Sequence, residues 1–517
     1  MDMHISHQDG GDSEGRAAGC SRFGYLFEEA ARSPDCLLPA SDDTVNALLD
    51  LGAAMGDPGT RTESDIRAES GVPAIMTYFA RFIAHDLVAR VERDNGPAPL
   101  PARPQDAVSD CTLVPMPPAS LVGRIANARQ PRFDLASVYG DGPSLEAAPG
   151  CPERIGASAD RLYDGLRLKV RFDCDGLLDL PREVEGMAEG RAVAGDARSD
   201  RCLILSQFHA AWLRFNNVVF ESTHGCSDQS RWSQTRRLVR WTYQYLVANE
   251  FLPAACDPQV LADIRANGPR FFRPDPDAVT PAMPLEAVLA AMPFSESMTR
   301  PLYRVNDRSS LTVDEIRDPA SGLLGSDRRL KPEAVIAWRN FVDLSQDGGC
   351  GPQRARTIGP RLTQGLAHGL GGRTPAVRAM TGNAQRLLVE GYLSCLPTGQ
   401  AVAAGMGLAP MSASQVAGDD PVLARAVRAG GFAARTPLWF YVLREAELHA
   451  GGRTLGPVGS RLLAETIVGL LRADPGSYVN HPGNRSITAR GIEITSGFNA
   501  TTIGSLTDLV RYAGLRR

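Results

Sequence analysis

The chain has 517 residues, 43% of them apolar and 22% charged, with a formal net charge of -4 at pH 7. These are the proportions of an ordinary globular protein, long enough for a large core or for about three units of typical size. The acidic balance excludes a basic face for nucleic acid or anionic lipid, and no run reaches the roughly 20 apolar residues that span a bilayer.

Residues 1–20, rich in Gly, Asp and Ser, read as a disordered leader. They lack the basic start and apolar core of a secretory signal, so a cytoplasmic location is expected. The ten cysteines are scattered, with no C-x-x-C pair, and read as reduced thiols. Lysine occurs only at Lys169 and Lys331, an arginine bias that points to a GC-rich bacterial genome.

Helical spacing dominates the rest. Phe79, Phe82, Ile83 and Leu87 form one stripe and predict a helix over 77–90. A Pro-rich loop follows from Asn95, and Met116-Pro-Pro extends it. A short strand is expected over 166–172. Leu205, Phe208, Trp212, Phe215 and Val219 recur at steps of three and four, predicting a long helix over 196–221. Further helices are expected over 234–249, 284–291 and 461–472. With no internal repeat, residues 21–517 read as one mainly α domain with a single core and few short strands. The histidines show no HExxH or HxxxH spacing, and the glycine-rich pieces lack a phosphate-loop Lys-Ser/Thr.

Several blocks carry a resemblance. They are Val72 to Leu87 with Arg81, His85 and Asp86, then Pro131 to Pro143 with Asp134. Next come Gly195-Asp196-Ala197-Arg198 continuing to Asn217, and Met283 to Asn306 with Glu296. Leu396 to Ala403, Thr436 to Glu445 and Leu455 to Asp474 complete the set. In this order they resemble the animal-type haem peroxidases, bacterial branch, of the peroxidase–cyclooxygenase superfamily.

The resemblance implies a large helical fold around haem b, with hydrogen peroxide and a small organic substrate as partners. It makes His85 the distal histidine, which takes a proton from peroxide and returns it to the departing oxygen. Arg198 becomes the distal arginine that stabilises charge as the O–O bond breaks. Other positions depart from the family pattern. Glu296 stands where the proximal histidine holds iron, and Leu387 where an asparagine supports that histidine. Pro293 and Ser295 replace an Arg and a Gly, and Arg81 replaces a glutamine of the halide pocket. Ala84 and Arg201 occupy the positions of carboxylates that form ester links to haem in vertebrate members. Asp86 and Asp134 match calcium ligands. Gln130 and Ala136 sit where stronger oxygen donors are expected, so a site needing six or more oxygens is impoverished.

Glu296 admits three readings. It can pair with Arg300 on a helix surface at i and i+4. It can ligate ferric iron as a hard anionic donor. It can act in proton transfer, because a carboxyl in an apolar cavity holds its proton more tightly. Three functions follow: a divergent haem oxidoreductase with altered peroxidase chemistry, a haem-free acid–base or cyclisation enzyme in the vacated cavity, and a non-catalytic pseudo-peroxidase.

Overall fold

The structure is a computed structural model that describes residues 21–57, 69–92, 113–140, 162–172, 178–183, 190–274, 280–317, 322–324, 330–345, 351–367 and 382–515. The leader, most of the Pro-rich loop and His368 lie outside the described residues. Helices dominate: α1 (Asp42–Ala54), α2 (Ile75–Leu87), α3 (Leu203–Ser222), α4 (Asp228–Leu246), α5 (Asn383–Leu393), α6 (Leu438–Ala450), α7 (Pro457–Ala473) and α8 (Leu506–Tyr512). Strands among the described residues form two-stranded pairs and one three-stranded sheet of Ile487–Thr488, Gly491–Ser496 and Asn499–Ile503. No helix among the described residues is long and apolar enough to cross a membrane. Cys36, Cys202, Cys226, Cys256 and Cys395 are free thiols.

Local rules account for several boundaries. α1 begins at Ser41, whose hydroxyl accepts the Thr44 amide at 3.1 Å and satisfies a donor that the first turn leaves open. α2 stops at Leu87, three residues before the expected end. There Val88 turns extended and Arg90–Glu92 pairs antiparallel with Ile125–Asn127. The run expected over 196–221 is broken at Cys202, which is extended (φ -150°, ψ 127°) between a 3-10 turn at Ala197–Arg201 and α3. The helix expected over 284–291 is a π turn, Ala287–Ala291, followed by a 3-10 turn, Met292–Glu296, with Pro293 near the junction. Proline has no N–H to continue an α ladder, so the change of winding falls at that point. The strand expected over 166–172 is two short ones, Arg167–Leu168 and Arg171–Phe172, in separate hairpins.

One hydrophobic core runs through the molecule, from Phe23 to Ala513. Its aromatic centre fixes the elements that matter for the site. Phe82 of α2 stacks on Trp212 of α3 with ring centroids 5.9 Å apart, and meets Phe208 edge-on at 5.3 Å. Tyr243 of α4 closes the group against Trp212 at 5.5 Å. Such pairs are worth about 0.5–1.5 kcal/mol each beyond burial, enough to hold α2 and α3 in one register. On its other side α2 packs against the Met292–Glu296 turn.

Candidate functional site

A cavity of about 710 Å³ opens between α2, the Ala197–Arg201 turn, the Met292–Glu296 turn and α5. His85, Arg198 and Glu296 all line it, together with Arg81, Ala84, Arg201 and Leu387. Residues that resembled a reaction centre by sequence therefore share one space.

The wall holding His85 and Arg198 is rigidly wired. Gly195 passes so close to the 133–140 loop that a Cβ there would lie 2.5 Å from the Ser137 carbonyl oxygen. The buried Asp196 follows and caps the 3-10 turn, accepting the Arg198 amide at 2.9 Å. Its carboxylate also accepts Arg198 Nε at 3.0 Å and Nη2 at 2.6 Å, and Arg129 Nη2 at 2.6 Å. Burial alone would raise the Asp196 pKa, but the Arg198 bonds and charge, with His85 and Arg129, hold it well below the usual range. Arg198 Nη2 also donates to the His85 backbone carbonyl at 2.9 Å, which ties the turn to α2.

His85 is half-buried and its Nδ1 has no partner. Burial first, then the Arg198 charge, pushes its pKa down to about 3. The imidazole is therefore neutral at physiological pH and able to accept a proton. His209 is not at the cavity. It lies buried behind the turn, its Nδ1 3.0 Å from the Ser199 hydroxyl, and supports the turn from below.

The opposite wall differs from each reading of Glu296 as a lone group. Arg81, one helical turn before His85, donates through Nη2 to Glu296 Oε2 at 3.0 Å and to the Thr299 hydroxyl at 3.1 Å. Asn383 of α5 donates to the same Glu296 oxygen at 3.1 Å. Burial alone would lower the Arg81 pKa, and the Glu296 carboxylate holds it above the ordinary value. The surface pair with Arg300 is overturned. Arg300 is buried and bonds Glu69 at 2.9 Å, because the chain leaves the helical winding after Glu296 and carries residue 300 away. Asn383 was missed from sequence. Its signal was present one helical turn before Leu387 on the same face of α5.

Asp86 is fully buried on the far side of α2. It accepts the Leu135 and Ser137 amides, each at 3.2 Å, and the Ser137 hydroxyl at 3.3 Å. It thereby holds a loop in which Phe133 and Leu135 adopt left-handed backbone (φ 51° and 61°). Burial and the neighbouring Asp134 charge push the Asp86 carboxyl pKa up. Among the described residues, no group of three or more His, Cys, Asp or Glu is placed to hold a metal ion.

Residues 161–346 match the family described as animal haem peroxidase, a segment that contains Arg198 and Glu296 and begins after His85. Solved structures agree over nearly the whole chain. Peroxidase A from Dictyostelium discoideum has a TM-score of 0.61 at 15% identity, covering 92% of this chain and 93% of that one. The fold is that of the haem peroxidases. Two fatty acid alpha-dioxygenases are also similar. That from Oryza sativa, solved with palmitic acid, has a TM-score of 0.57 at 13% identity, covering 93% and 80%. That from Arabidopsis thaliana has 0.53 at 13%, covering 97% and 77%. No curated protein matches by sequence. Matched family and neighbours alike are of oxidoreductase type.

Haem is the cofactor this fold implies, and the two walls answer that implication differently. His85 and Arg198, which the resemblance assigns to the face where peroxide would bind, do line the cavity together. The Glu296 wall lacks the histidine ligand of the resembled family. An axial ligand needs a donor lone pair aimed at iron; Glu296 Oε2 is held by Arg81 and Asn383, which leaves only Oε1 of an ion-paired carboxylate where the family has an imidazole.

Proposed function

We propose that this chain is a divergent oxidoreductase of the haem-peroxidase fold that acts on a small organic substrate, with peroxidase chemistry altered by the loss of proximal ligation. The observation that carries this reading is His85, with its unbonded Nδ1, beside Arg198 over one cavity. In it, His85 accepts a proton from a bound hydroperoxide or substrate hydroxyl and can return it. Arg198, oriented by Asp196, stabilises negative charge left on oxygen. Its Nη1 is bonded to no described residue and so remains for a ligand. Asp86 anchors the 133–137 loop through protein donors, and the proposal includes no calcium.

A second reading, a haem-free acid–base enzyme, is favoured by the Arg81–Glu296–Asn383 contact, which occupies the ligand position with protein bonds alone.

One experiment separates the two. The protein is expressed with ample haem, its absorbance spectrum recorded, and peroxide-dependent oxidation of small phenols compared with His85→Ala. Under the first reading a Soret band accompanies turnover, and His85→Ala lowers turnover about 100-fold or more. Turnover unchanged in His85→Ala would end both readings. Absence of the Soret band, with His85-dependent conversion of a substrate retained, selects the second.

A further inference from the structure

We propose that the cavity recognises its organic substrate through an oxyanion, a carboxylate or a phosphate ester, gripped by Arg198 and Arg201 with Arg191 at the rim. The proposal rests on the reading above that this cavity is the substrate site. Six guanidinium groups line it, from Arg81, Arg191, Arg198, Arg201, Arg317 and Arg386, against the carboxylates of Asp200 and Glu296. Both acids are already committed. Glu296 is bonded to Arg81, and Asp200 Oδ2 accepts Arg182 Nη1 at 3.0 Å and the Ala192 amide at 3.3 Å. Arg386 is engaged with Glu390 at 3.1 Å. Arg191 and Arg201 are exposed, with no carboxylate in ion-pair range among the described residues. With Asp196 on Arg198, Glu296 on Arg81 and Glu390 on Arg386, the positive charge left open at the cavity is that of Arg191 and Arg201, on a protein whose net charge is -4.

The winding of the chain explains how two of these arginines converge. Residues 197–201 form a 3-10 turn, in which side chains at i and i+3 eclipse one another. Arg198 and Arg201 therefore stand on one face, and both line the cavity. Arg201 offers an open planar fork and Arg198 adds its Nη1, the Nε and Nη2 edge being held by Asp196 and the His85 carbonyl; guanidinium binds carboxylate and phosphate through such N–H donors. Arg198 is bonded to the His85 carbonyl, so an anion gripped there is delivered beside the imidazole whose Nδ1 lacks a partner. The anion supplies orientation, and His85 is left to act on a neighbouring proton.

The test uses the full-length protein and three probes of similar shape: benzoate, phenyl phosphate and the neutral benzyl alcohol, with inorganic phosphate and haemin as controls. Binding is read by calorimetry and by the rise in melting temperature, for wild type, Arg201→Gln and the Arg191→Gln/Arg201→Gln double variant. At least one aromatic anion should bind more tightly than benzyl alcohol. Its affinity should fall about tenfold in the double variant and decline with added salt. Which of benzoate and phenyl phosphate binds better identifies the anion. The ligand-free melting temperature of each variant shows whether the fold is intact. Equal binding of benzyl alcohol, or unchanged anion affinity in a folded double variant, overturns the proposal. So does inorganic phosphate binding as tightly as phenyl phosphate, or haemin being the only probe that binds. Failure of the functional reading shows separately: His85→Ala would then bind the anion and also keep full turnover.

Discussion

The Arg81–Glu296 pair should couple strongly, and a double-mutant cycle measures it. Both side chains are about one-sixth exposed, at 17% and 16%. Glu296→Gln leaves the Arg81 guanidinium in place without its counter-ion, with only neutral acceptors, the new amide oxygen and the Thr299 hydroxyl, beside it. Breaking a fully buried pair costs about 3–5 kcal/mol, and this partial exposure lowers the expectation to about 2–3 kcal/mol. Arg81→Met alone strands the carboxylate on Asn383 and should cost a similar amount. The double variant removes both charges and should lose only about 1 kcal/mol, giving a coupling of about 3–5 kcal/mol. At about 2.1 cal/mol/K per residue, a chain of this size has an unfolding entropy near 1 kcal/mol/K, so each single variant should melt about 2–3 °C lower. Calorimetry with urea titration reads these values. Additive single variants, with coupling under about 0.5 kcal/mol, would show that the contact is incidental and that Glu296 remains available for iron.

Two further outcomes follow from the wiring behind the cavity. Burial pushes the His209 pKa down to about 4, so between pH 6.5 and 4 the unfolded chain takes up a proton that the native ring refuses. Stability from this group is complete above pH 6.5 and falls by up to about 1.4 kcal/mol per pH unit below it. The urea midpoints of wild type and His209→Gln should therefore draw together, by about 2 kcal/mol, between pH 7 and pH 5; a constant gap contradicts the burial argument. Gly195→Ala places a methyl 2.5 Å from the Ser137 carbonyl, which should cost about 1–3 kcal/mol and displace Arg198, seen as lower turnover along with lower melting temperature. A variant as stable and active as wild type would mean that the loop yields freely.

The helical scaffold was legible because its signals are local. The Phe79–Phe82–Leu87 stripe and the Leu205 to Val219 steps repeat at helical spacing, and the same faces carry the aromatic core. The Gly195-Asp196-Ala197-Arg198 motif was readable because each residue serves its neighbours: Gly195 permits a close approach, and Asp196 both caps the turn and clamps Arg198. What could not be read locally was whatever depends on a change of winding or a distant partner. Pairing Glu296 with Arg300 assumed an α-helix through both, but the turn at Met292–Glu296 is 3-10 and ends there. Its actual partners, Arg81 and Asn383, are 215 and 87 residues away.

Those distant partners alter the meaning of the departures from the family pattern. Arginine at position 81 and glutamate at position 296 look like two separate losses when read along the chain, one from the halide pocket and one from the iron. In three dimensions they form a single contact, a base and an acid that neutralise each other across the cavity. Asn383 then bonds the acid from the third wall, much as an asparagine supports the proximal histidine in the resembled family. Either substitution alone would bury an uncompensated charge, which is costly; together they tie α2 to the Met292–Glu296 turn without a metal. Any folded chain, catalytic or not, is more stable with its charges matched in this way. The pairing therefore accounts for how the walls stay joined, and the case for chemistry in the cavity rests instead on His85 and Arg198 facing the same space as the unpaired Arg191 and Arg201.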